Sequence, residues 1–122
     1  MNEIHEAGAV VFDDAAVVRL SGDAGDPAFA SVFVDKFRGL LPLRVHRIVS
    51  TLRAGDQDDA LDAVLSLKVS SCLIGAGELC LLGRTIEAHL RRFDLGAARL
   101  AASALTAAAI RADEALDAFL AA

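Results

Sequence analysis

AVLSLKVSSCLIGAG, residues 63–77, is the stretch on which the fold turns. Its apolar residues recur at helical spacing up to Gly75, which reads as a helix stop. Ala60, Ala63, Val64, Leu67 and Ile74 share one face and suffice to meet a core. Leu61, Leu65, Val69 and Cys72 line up on another face, which also carries Lys68. A helix apolar on two sides wants a neighbour on both. The second row therefore reads as a protein-contact patch, since adjoining exposed apolar residues mark interaction sites. The competing reading rotates the helix and sends this row into the core.

Outward from this stretch, helix punctuation is regular. Asp13, Asp26, Asp56 and Asp94 each precede a helical pattern, where a carboxylate accepts first-turn amides and favours the positive end of the helix dipole. Pro27 suits a first helical position, and Gly55-Asp56 reads as one helix stopping and the next starting. The spacing predicts a short helix over 13–20 and a long one over 26–54, with an irregularity where Pro42 removes an amide. Further helices are expected over 57–74, then after Gly75-Ala76-Gly77 through Leu79, Leu82, Ile86, Leu90 and Phe93, and over 95–121. Gly83 would let a neighbour come close. GAVVF, near residue 10, is open to two readings, a pairing strand or an apolar lead-in, of which the lead-in is taken; residues 1–11 are expected to be loosely packed. Such helices, joined by short connections, bury their stripes only against one another. The fold class expected is all-α: one domain over 1–122, an antiparallel four-helix bundle with a short extra N-terminal helix.

Composition narrows the function classes. A net charge of −5 with scattered basic residues argues against a nucleic-acid partner. The N-terminus MNEIHEAG lacks the basic region of a secretory signal, and Leu100–Ile110 is too short for a membrane span. Alanine accounts for much of the positive hydropathy. Cys72 and Cys80 form no CxxC and have no histidine at ligand spacing, so they read as small core or boundary residues of a reduced, cytoplasmic protein. No metal site and no cofactor are expected.

At this point the residues resemble the histidine-containing phosphotransfer (HPt) family of two-component phosphorelays. The likeness spans roughly 12–121 and rests on DPAF…FVDKFRGLLPLRV, the turn AGD, LSLKVSSCLIGA, the Ile86-Glu87 pair and the turn at Asp94. The family's central segment looks like HxLKGSxxxxGA: an exposed histidine carries the phosphoryl group, a lysine supports its charge, and a glycine leaves room for the receiver domain. Leu67, Lys68, Ser70, Gly75 and Ala76 match. The histidine position holds Leu65 and the glycine position Val69. Leucine has no nitrogen lone pair to attack an aspartyl phosphate, and valine crowds the approach. The resemblance thus implies a non-catalytic module that binds a receiver domain or a histidine kinase through Leu61, Leu65, Lys68, Val69 and Cys72. Lys68 would meet an acidic receiver pocket, or else is simply solvated.

Two other functions stay open. In one, the same apolar face closes a two-fold homodimer; in the other, His46 or His89 carries phosphate, although neither is followed by the lysine and glycine spacing; His5 lies in the expected loose end. Glu87 and Arg91, four apart, form a favourable helix pair with no chemistry implied. Ser70 and Ser71 lack a base at helical spacing, and Gly75-Ala76-Gly77 is too short for a phosphate loop.

Overall fold

A computed structural model describes residues 4–5, 9–26 and 28–122. The described chain is all-α, apart from a two-residue antiparallel pairing of β1 (Ile4–His5) with β2 (Ala9–Val10). The helices are α1 (Asp14–Ala24), α2 (Ala28–Ala54), α3 (Gln57–Ile74), α4 (Gly77–Arg91), α5 (Leu95–Ala102) and α6 (Leu105–Ala121). The expectations for Pro27 and for residues 1–3 and 6–8 lie outside the described residues.

Side-chain caps start four of these helices, α1, α2, α3 and α5. Asp13 accepts from the amide of Ala15, Asp26 from Ala28, Asp56 from Asp59 and Asp94 from Ala97, all at 2.9–3.1 Å. Each removes one otherwise unpaired first-turn donor. Gly75 closes α3 with φ 84°, and it does a second job. A Cβ there would stand 2.3 Å from the carbonyl oxygen of Asp13, whose amide donates to the Gly75 carbonyl at 2.8 Å. The α3–α4 corner is thereby pinned to the start of α1.

The core runs through every helix: Val17, Val34, Ile48, Leu67, Ile86 and Leu116 are fully buried. In sequence order, α3 meets α2 on one side and α4 on the other; α4 packs on α5 and α6, and α2 on α6. Along the α3–α4 contact, Cys72 faces Cys80, Lys68 faces Gly83, and Gln57 donates to the carbonyl of Leu90. Gly83 is a point of close approach, since a Cβ on it would lie 2.9 Å from that of Lys68.

Three expectations need correction. The final helix is two, because Ser103 and Ala104 interrupt it. The Ser103 amide bonds back to the carbonyls of Arg99 and Leu100 and its hydroxyl to Leu100, tightening the turn and diverting the backbone. GAVVF contributes the pairing strand β2, because its backbone groups find partners in Ile4–His5. Residues 9–12 are not loose: they are half-buried, Phe12 meets Phe119 edge to face at 5.6 Å, and the Val10 carbonyl oxygen lies 2.5 Å from where a Cβ on Gly77 would sit. Pro42, by contrast, lies exposed within an uninterrupted α2.

Candidate functional site

The inner face of α3 is buried through Ala60, Ala63, Val64, Leu67, Ser71 and Ile74. The outer face carries Val69 at 53% and Leu73 at 50% exposure with half-buried Leu61 and Leu65, while Lys68 and Cys72, also half-buried, sit on its α4 side, where they meet Gly83 and Cys80. Leu61 leans onto the core from its rim. Leu65 and Val69, one turn apart, form the centre of an apolar strip, and Leu73 extends it by another turn. Ser66 and Ser70 lie between, and Ser70 donates to the Ser66 carbonyl at 3.0 Å. Leu73 is absent from the row predicted from the sequence. Its place one turn after Val69 was the signal.

The rim is charged. Beside Ser70, α2 contributes Phe33, Lys36, Leu40 and Arg44 around a depression of about 200 Å³. Beyond Leu61, Arg47 pairs with Asp62 at 2.8 Å. Lys68 does not reach outward as a bare cation: its Nζ donates to Glu87 of α4 at 2.7 Å. Glu87 also accepts from Arg91 at 2.8 Å, the helix pair expected from the spacing. The hydrogen bond from Lys68, followed by that from Arg91, holds the Glu87 carboxyl below its ordinary range. Lys68 is therefore already matched by a carboxylate within the chain, which the sequence reading of a free lysine did not foresee.

The cysteines depart furthest from expectation. Cys72 and Cys80 are joined by a disulfide that ties the last turn of α3 to the start of α4, with Cα atoms 4.9 Å apart. They are not separate reduced thiols, and the reason for reading a reducing compartment from them falls away. The two stand symmetrically about the corner, four residues before and four after Ala76 (76 − 72 and 80 − 76), so a helical hairpin turning there brings them face to face.

The histidines lie elsewhere. His46 is exposed on α2, beside a groove of about 530 Å³ between α2 and α6 that Pro42, Val49, Ile110 and Asp113 also line. His89, half-buried on α4, has its Nδ1 3.0 Å from Arg92 Nη2. Ser71, buried in α3, has a hydroxyl with no hydrogen-bond partner. Among the described residues no cluster of three His, Cys, Asp or Glu converges as a metal site, and no helix is long and apolar enough to cross a membrane.

The outer face of α3 offers an apolar strip with a charged rim. Comparison with protein-family models, with curated proteins and with solved structures finds no match.

Proposed function

We propose that this chain is a non-catalytic HPt-like module of two-component signalling, which docks on a receiver domain or histidine kinase without passing phosphate. On this reading its helices form an antiparallel four-helix bundle with α1 as the extra helix, and α5 and α6 together fill the fourth position. The observation that carries the reading is Leu65, half-buried on the outer face of α3 at the position where the resemblance expects the phosphoacceptor histidine.

Val69 supports the same reading, because its exposed side chain occupies the site of the glycine that would admit a reacting partner. An apolar centre with a basic and acidic rim suits a transient protein interface. Lys36 and Arg44 beside Ser70 are placed to meet acidic groups on a partner, the charge complementarity that a receiver's acidic pocket supplies.

Intact-mass analysis after incubation with a phosphorylated receiver domain, or with an active histidine kinase and ATP, tests the non-catalytic half. No added phosphoryl group is expected, with both donors shown competent on a working HPt domain. An acid-labile adduct lost in His46→Gln or His89→Gln would replace this reading with an active phosphotransfer protein.

The self-associating alternative uses the same strip, closed by a second copy. Light scattering across a concentration series separates the two: a persistent dimer broken by Leu65→Asp favours self-association, and a monomer throughout favours docking.

A further inference from the structure

The Cys72–Cys80 bond sits at the edge of the strip formed by Leu65, Val69 and Leu73, and its two sulfurs are not equivalent. Cys72 is half-buried where the outer face of α3 meets α4, whereas Cys80 is only 8% exposed beneath the corner. Cys80 lies at the start of α4, near the positive end of that helix, and its amide makes an early helical bond to the Ala76 carbonyl at 2.9 Å. Cys72 lies in the last turn of α3, at the negative end. Access is greater at Cys72, which makes it the sulfur that a small thiol reaches.

The corner is closed without the disulfide. The amide of Asp13 bonds to the Gly75 carbonyl, Gly77 bonds back to Gly75, and Ala76 to Ser71, while Ile74, Ala76 and Leu79 are fully buried around them. The chain has no other cysteine, so a thiol released here has no competing partner within the molecule.

We propose that this disulfide is a thiol-exchange site for low-molecular-weight thiols, with Cys72 as the sulfur attacked and Cys80 as the leaving group. The thiolate of the small thiol forms a bond to Cys72 Sγ as the Cys72–Cys80 bond breaks, and its electron pair departs on Cys80 Sγ. A second small thiol then attacks the mixed disulfide at its non-protein sulfur, releasing a small-molecule disulfide and leaving Cys72 as a thiol once protonated. Two small thiols are oxidised and one protein disulfide is reduced. The intermediate carries a polar adduct where the outer face of α3 meets α4. Resting on the docking function proposed above, we assign to this adduct the lowering of partner affinity.

The test uses the oxidised full-length chain with reduced glutathione as probe, quenched with N-ethylmaleimide and mapped by peptide mass spectrometry, with circular dichroism recorded in parallel. The expected intermediate has glutathione on Cys72 and maleimide on Cys80, in a chain that stays helical. In the single variants, the thiol left in Cys80→Ser should react with maleimide at least about tenfold faster than the one left in Cys72→Ser. An adduct on Cys80, equal labelling rates, no opening by millimolar glutathione, or unfolding on opening would each overturn the assignment.

Affinity for a receiver domain is then measured for the oxidised chain, the Cys72 adduct and Leu65→Asp. Weakening by both changes supports the regulatory role, and weakening by Leu65→Asp alone overturns it. No effect of Leu65→Asp overturns the docking site while leaving the exchange chemistry to stand on its labelling pattern.

Discussion

The two faces of α3 are built from similar residues and differ in what they touch. Leu67 is fully buried among α2 and α4 side chains, while Leu65, two residues earlier, keeps part of its surface in solvent. The inner face is apolar because the fold requires it. The outer face is apolar beyond that requirement, and surplus apolar surface on a helix is what a partner uses.

The comparison breaks most sharply at the two leucines. Leu67→Ala should destabilise by about 2–5 kcal/mol through the lost burial and the cavity left behind, and Leu65→Ala by less than about 1 kcal/mol. Denaturant unfolding of both measures this. Equal losses would place Leu65 in the core and remove the docking face.

Next in size is the corner that supports both faces. Gly75→Ala forces a Cβ against the Asp13 carbonyl at a positive φ, and should cost about 2 kcal/mol or more, seen as a lower urea midpoint. A neutral effect would mean that the α1–α3 contact gives way easily.

A smaller effect tests the charged rim. Glu87 has its carboxyl held below its ordinary value by hydrogen bonds from Lys68 and Arg91, so these ion pairs contribute fully above the ordinary carboxylate range. The contribution is lost as pH falls through the lowered folded-state value. Glu87→Gln should cost about 1 kcal/mol at neutral pH and flatten the acid side of the stability profile. An unchanged profile would show the pair to be idle.

Much of the fold was legible because its signals are local. An Asp before an apolar run caps that run whatever surrounds it, and Gly75 ends α3 by its own backbone freedom. The inner face of α3 was legible from spacing alone. What escaped depends on pairs far apart in the chain or on competition over a few atoms. Lys68 reads as free until α4 brings Glu87 alongside it, nineteen residues on. The Cys72–Cys80 bond depends on how α3 and α4 rotate against each other across the Gly75-Ala76-Gly77 corner, and a separation of eight in sequence does not show that the two side chains meet. The break at Ser103 turns on one hydroxyl competing for a carbonyl within an alanine-rich run that otherwise favours continuing.

The largest functional change should come with only a small loss of stability. Leu65→His combined with Val69→Gly restores the residue types that the resemblance expects for phosphotransfer, at a cost of about 1 kcal/mol for the helical glycine. This double variant should gain an acid-labile phosphoryl group from a phosphorylated receiver, read by intact mass. Failure to do so, with binding intact, would mean that the face docks in a geometry unlike that of the family.

The most direct measurement is calorimetric titration of receiver domains from the same cell into the wild-type chain and into Leu65→Asp, with helicity and unfolding recorded for both. Binding of at least one receiver by the wild type, lost in a Leu65→Asp variant that unfolds at nearly the same denaturant concentration, is the expected result. Binding that survives Leu65→Asp unchanged, or a variant that no longer folds, would contradict the assignment of the outer face of α3 as the docking surface.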